Sequence, residues 1–154
     1  LLRTAGSAWR DDVLTFVDAL AFAWITAGTD AHAKNFALLH AARGSVRLAP
    51  LYDLASALPY PDLDPRRLKL AMSIGGEYRM ENVRARHFEK LEADAGPIHE
   101  PLVARARALA ERVEALAPAI ATQVRRSGVR HPILAKLSSA IQARAAECVR
   151  RLAR

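Results

Sequence analysis

The chain has 154 residues, 51% apolar and 25% charged, with a net charge of +7 and a single cysteine. That composition excludes a largely disordered chain and suits one domain with a sizeable core. Cys148 alone excludes an internal disulfide and fits a reducing compartment, and no apolar run reaches the roughly 18 residues of a membrane span.

The chain opens Leu1-Leu2-Arg3 without a methionine, which reads as part of a longer protein. Asp11 and Asp12 stand before a long apolar run from Val13 to Ile25, broken by Asp18. Acidic residues complement a helix N-terminus, and apolar side chains on nearly every face predict a central, buried helix with Gly28 as its stop. A polar loop follows, Gly28 to Asn35. Phe36 to Leu39 and Val46 to Ala49 are predicted to pair as a hairpin across the turn Ala42-Arg43-Gly44-Ser45, with Pro50 ending the second strand. Pro59 to Pro65 is irregular, and Leu68 to Ile74 reads as a short strand or loop closed by Gly75-Gly76. The remainder is predicted helical: Arg86 to Ala93, Glu100 to Val124 with a kink or end at Pro118, and Pro132 to Leu152. The predicted fold class is therefore mainly α with a small β-hairpin.

The positive charge is uneven. From Gln123 onward Arg125, Arg126, Arg130, Lys136, Arg144, Arg150, Arg151 and Arg154 face only Glu147. Such an excess suits nucleic acid, an acidic partner or a phosphate-rich ligand, or is simply a solvated face. No aromatic residue interleaves these cations, so stacking on single strands is not expected.

The chemistry concentrates in Gly28-Thr29-Asp30-Ala31-His32-Ala33-Lys34-Asn35. Asp30 lies five positions before Asn35, the spacing of base and metal-binding amide in a protein-kinase catalytic loop, and Asp53 follows the hairpin where kinases carry a metal-binding Asp. Phosphoryl transfer needs a carboxylate to orient the attacking hydroxyl, and a few hard oxygens to hold Mg²⁺. An antiparallel hairpin returns the chain to its starting end, so Asn35 and Asp53 are expected to approach one ion.

Three blocks carry a family resemblance. Gly28 to Leu39, Leu48-Ala49-Pro50-Leu51-Tyr52-Asp53-Leu54 and Leu68-Lys69-Leu70-Ala71-Met72 resemble, in order and spacing, the C-terminal kinase region of HipA-like toxins. Arg86-His87-Phe88 looks like the start of a later helix in that family. The resemblance covers essentially residues 1–154, with residues 28–54 holding the catalytic loop, hairpin and metal-binding loop. It implies the C-terminal lobe of an atypical kinase fold and a cytoplasmic serine/threonine kinase using ATP and Mg²⁺. By position Asp30 is then the base, and Asn35 and Asp53 the magnesium ligands. It also implies the toxin of a bacterial toxin–antitoxin pair, with a helix-turn-helix antitoxin as partner and DNA reached through it. Aminoacyl-tRNA synthetases are among that family's protein substrates.

The sequence departs from ordinary kinases in several places. No Arg precedes Asp30, His32 stands where many kinases have Lys, and no Gly follows Asp53. The Asp-x-His-x-x-Asn loop also resembles that of phosphoinositide-type kinases, which keeps a lipid or small-molecule acceptor open. A Gly-rich phosphate loop and a strand lysine with its helix glutamate are missing, and Gly75-Gly76 is a poor substitute. An N-terminal lobe is expected to supply them, so the chain alone is expected to bind ATP weakly and to be inactive.

Each residue also has a plainer reading. Asp30 and Asp53 suit turns, and Asn35 suits a strand cap. His32 either orients Asp30 or the transferring phosphate, or packs structurally, while Lys34 is a phosphate contact or a solvated charge. Zinc held by Asp30, His32 and Asp53 competes poorly, because His40, His87, His99 and His131 lack ligand spacing. A rival from another class is a non-catalytic basic module that docks a DNA-binding antitoxin as co-repressor.

Overall fold

In the computed structural model, which describes residues 8–40, 46–96, 98 and 100–153, the first apolar run forms helix α1 (Trp9–Thr26) at the centre of the molecule. Val17, Leu20, Ala21, Trp24 and Ile25 of α1 are all buried. The two acids of its first turn diverge. Asp11 is exposed, whereas Asp12 is 3% exposed and accepts from Arg47 Nε at 3.0 and 3.1 Å. Asp18, the break in the apolar run, receives a two-pronged hydrogen bond from Arg105 at 2.6 and 2.8 Å.

The end of α1 corrects one expectation. The left-handed residue is Ala27, at φ 55°, rather than Gly28. The Gly28 N–H donates to the Ala23 carbonyl at 2.7 Å, and a Cβ on Gly28 would lie 3.2 Å from the Ala55 carbonyl oxygen. Glycine is needed there for room, not for a positive φ.

Strands β1 (Leu38–His40) and β2 (Val46–Leu48) form the expected antiparallel hairpin, paired Leu38↔Leu48, Leu39↔Arg47 and His40↔Val46. The turn expected across Ala42 to Ser45 lies outside the described residues. A second hairpin, not foreseen, joins β3 (Lys69–Ile74) to β4 (Glu77–Arg79). Gly75 and Gly76 turn it with φ of 56° and 89°, the pattern that lets two residues reverse a twisted pair of strands.

Helix α2 (Ala85–Ala95) starts at Arg84, whose N–H donates to His87 Nδ1 at 2.9 Å. Its buried Phe88 meets Trp24 with ring centroids 5.7 Å apart, and Trp24 Nε1 donates to the Met80 carbonyl at 2.9 Å. Helix α3 (Leu102–Arg126) does not end at Pro118, one of the two expectations for that position, but continues through it. Pro118 is exposed, and packing along the next helix outweighs the one backbone bond it removes. That next helix, α4 (Ile133–Leu152), returns along α3 and buries Ala145, Cys148 and Leu152 in the core. Arg144 of α4 donates to the Trp24 carbonyl at 3.0 Å, satisfying one of the orphan carbonyls in the last turn of α1. The fold is thus mainly α with two small hairpins. Among the described residues no helix is long and apolar enough to cross a membrane.

Cys148 is 1% exposed, and burial pushes its thiol up to about 11. The native protein at pH 8 is therefore expected to resist iodoacetamide, with alkylation appearing only on unfolding in urea. Rapid alkylation of the native form, followed by mass spectrometry, would count against this packing of α4.

Candidate active site

The site is assembled at the C-terminal end of α1 and the open end of the first hairpin. After Gly28 the chain turns, with the His32 N–H donating to the Asp30 carbonyl at 2.8 Å and the Asn35 N–H to the His32 carbonyl at 2.9 Å. A single 3₁₀ turn over Ala33–Asn35 follows. It points the Asn35 side chain inward, leaving the residue 8% exposed. Beyond β2, two bonds fasten the returning chain to α1. Ser56 Oγ donates to the Thr26 carbonyl at 2.6 Å, and the Ala57 N–H to the Ala27 carbonyl at 3.0 Å. Asp53 therefore lies against the segment that carries Asp30.

Asn35 joins the two halves. Its Nδ2 donates to Asp53 Oδ2 at 3.1 Å and to the Asp30 carbonyl at 3.3 Å. Both partners are acceptors, which fixes the amide orientation and leaves Asn35 Oδ1 on the other side. Asp53 holds a left-handed backbone at φ 56°, which is uncommon for a residue with a Cβ and marks a constrained position. Phe22, Thr26, Gly28, Asp30, Asp53 and Ala55 line one small cleft.

The Asp30 side chain is 79% exposed, and its Oδ1 lies 3.8 Å from His32 Nε2. The other ring nitrogen of His32, Nδ1, is buried and has no hydrogen-bond partner among the described residues. Asp30, His32, Asn35 and Asp53 are thus brought together. Lys34 is not: it is exposed, and its side chain makes no ion pair among the described residues. Lys69 is likewise exposed, on β3.

A magnesium ion takes few protein oxygens and completes its shell with waters and phosphates. Asn35 Oδ1 and the Asp53 carboxylate, held together by the 3.1 Å bond, are a donor set of that hard, sparse kind. Among the described residues no three His, Cys, Asp or Glu side chains gather as a metal site.

Sequence reasoning missed two contributors. The Tyr52 hydroxyl donates to the Lys34 carbonyl at 3.1 Å, a contact signalled only by the adjacency of Tyr52 to Asp53. Ser56 has its hydroxyl engaged with the Thr26 carbonyl and the Leu58 N–H.

Comparison with known proteins places the chain in a family. Residues 1–124 match the family described as the HipA-like C-terminal domain. Over 105 residues the chain is 39% identical to a protein of Sinorhizobium fredii (strain NBRC 101917 / NGR234) named putative kinase Y4mE, covering 68% of this chain and 24% of that one. Its fold is that of a chain from the Shewanella oneidensis MR-1 complex of the toxin–antitoxin system HipA, HipB and operator DNA. The two agree with a TM-score of 0.71 at 22% identity, over 89% of this chain and 32% of the other. The chain therefore spans between a quarter and a third of the lengths of these relatives.

Proposed function

Because the chain belongs to the HipA-like C-terminal domain family, we propose that it is the catalytic lobe of an ATP- and Mg²⁺-dependent serine/threonine protein kinase. The observation that carries this reading is the Asn35–Asp53 contact at 3.1 Å beside Asp30. Two hard ligands and a free carboxylate converge as phosphoryl transfer requires. The name of the S. fredii relative supports the same class of reaction.

Asp30 orients the acceptor hydroxyl and takes its proton as the oxygen attacks the γ-phosphorus of ATP. Its exposure leaves the carboxylate open to an incoming protein side chain. His32 Nε2 stands 3.8 Å from Asp30 Oδ1, and in this reading it biases the carboxylate's orientation rather than bonding it directly. Asn35 Oδ1 and Asp53 hold the ion, which when bound neutralises charge on the nucleotide phosphates. Lys34, exposed beside this loop, is the cation we assign to a phosphate oxygen as a point charge once nucleotide and substrate are bound.

The relative solved with HipB and operator DNA supports a further proposal. The protein is the toxin of a toxin–antitoxin pair, cytoplasmic, and bound to a helix-turn-helix antitoxin that reaches DNA. Its protein substrates are of the kind implied by the family resemblance, with an aminoacyl-tRNA synthetase as the first candidate. One observation favours the non-catalytic rival, a basic co-repressor module. Thr122, Arg125, Arg126, Arg130 and His131 line a concavity at the α3–α4 turn, and these arginines make no ion pair among the described residues.

The test is to incubate the full-length protein with γ-labelled ATP and Mg²⁺, alone, with candidate synthetases and with inositol lipids. Label is expected on protein serine or threonine, lost on adding EDTA and restored by excess Mg²⁺. Label on lipid alone would replace the acceptor class. No label from folded, ATP-saturated protein would overturn the kinase reading and leave the co-repressor in front.

A further inference from the structure

The first hairpin loses its backbone ladder before it reaches the site. The last rung beyond the strands is the Ala49 N–H donating to the Ala37 carbonyl at 2.8 Å. Pro50 follows and has no N–H to offer, so the ladder cannot continue from that residue. Beyond that rung one arm leaves the strand for the 3₁₀ turn Ala33–Asn35, and the two arms still face each other there. The Tyr52 hydroxyl donates to the Lys34 carbonyl at 3.1 Å. A side chain thus ties the open end of the hairpin where the backbone ladder has stopped.

Immediately next to it lies the Asn35–Asp53 bond at 3.1 Å. Residues 34 and 35 on one side are tied to 52 and 53 on the other by two neighbouring side-chain bonds, each spanning eighteen positions. Tyr52 is 46% exposed and absent from the core, so burial does not account for its position. Asp53 meanwhile sits at φ 56°, a left-handed backbone uncommon for a residue with a Cβ, though aspartate adopts it more readily than most, and one that its surroundings help to hold.

We infer that Tyr52 is a positioning residue for the metal ligands: its hydroxyl clamps the open end of the hairpin so that Asp53 stays against Asn35. The inference rests on the kinase reading only for which ion is held, and concerns the ligand pair itself. Without the hydroxyl, the ring remains but the end of the hairpin splays, and Asp53 relaxes away from Asn35 at little cost to the fold.

The experiment uses the full-length protein and its Tyr52→Phe variant, with Mn²⁺ as a spectroscopic substitute and a non-hydrolysable ATP analogue. Free Mn²⁺ is followed by electron paramagnetic resonance. The variant is expected to bind Mn²⁺ roughly three- to thirtyfold more weakly, in the range seen when the partners of metal ligands are removed. Its melting temperature should stay within about 2 °C of the parent, as for loss of one exposed hydrogen bond. Its half-saturating Mg²⁺ for label transfer should rise by the same factor, with excess Mg²⁺ restoring the rate. Unchanged Mn²⁺ affinity in the folded variant overturns the inference. So does a loss of affinity that tracks a large fall in melting temperature, which would mark general loosening. If the parent binds Mn²⁺ and Tyr52→Phe weakens it, but the parent transfers no label, the kinase reading fails while the clamp stands. If the parent binds no Mn²⁺ with the analogue, both fall.

Discussion

Asp30→Asn in the full-length protein is expected to slow label transfer by about 10²- to 10⁴-fold, the usual contribution of a positioned general base, and to leave the fold untouched. The carboxylate is 79% exposed, with His32 Nε2 3.8 Å away. The structural work at this position is done by the main chain, since it is the Asp30 carbonyl that accepts from His32 N–H and from Asn35 Nδ2. Asparagine keeps that carbonyl and the shape of the turn while removing the proton acceptor. Melting temperature and Mn²⁺ affinity should therefore match the parent. A variant that keeps more than about a tenth of the parental rate would remove Asp30 from the role of base, because it would fall short of that range. A variant that loses Mn²⁺ binding as well would make Asp30 part of the ligand set instead.

Gly75→Ala is expected to destabilise the fold by about 2–4 kcal/mol, combining a steric and a conformational cost. A Cβ at that position would lie 2.1 Å from the backbone oxygen of His87, and the residue sits at φ 56°. The obstacle is main chain in the first turn of α2, so no side-chain rotation relieves it. Either the β3–β4 hairpin lifts from α2, or α2 shifts and disturbs Phe88 against Trp24. Gly76→Ala is the matched control. Its Cβ would meet only the flexible Lys90 Nζ, at 3.3 Å, leaving the cost of a positive φ alone. Urea unfolding of both variants reads the difference directly. Equal, small losses would mean that the hairpin tolerates displacement. A raised ATP requirement with unchanged stability in Gly75→Ala would instead give this pair of glycines a part in phosphate binding, against the sequence reading.

Much of this was legible because local pattern and tertiary role coincide. The apolar density from Val13 to Ile25 forces burial whatever packs around it. The flanks of the first hairpin carry their own turn signals. The proximity of Asn35 to Asp53 followed from the same hairpin, since its two ends must return to one place. The misses have a common cause. Strand β4, Glu77-Tyr78-Arg79, has no apolar alternation and is a strand only because β3 offers it a partner. Pro118 signals a break locally, but α4 packs against the helix and carries it through. Gly28 looked like a cap because glycine usually is one, whereas the chain uses its missing side chain to let residue 55 approach. Asp12 looked like a dipole partner, and its buried pairing with Arg47 of β2 is set by an encounter 35 positions away. Long-range contacts of this kind leave no trace in spacing.

That last pair, with the bonds from Thr26 and Ala27 to Ser56 and Ala57, gives the molecule a single point of reference. Both loops of the site hang from α1, the hairpin near its beginning through Asp12 and the returning chain at its end. The spacing between Asp30 and the Asn35–Asp53 pair is therefore set from within this fold, by bonds to α1. On the kinase reading proposed above, a partner or further segment covering this face could open, close or be withheld without resetting that spacing. Control by a partner would then act on admission to the site, as a shutter does, while the geometry behind it stays set.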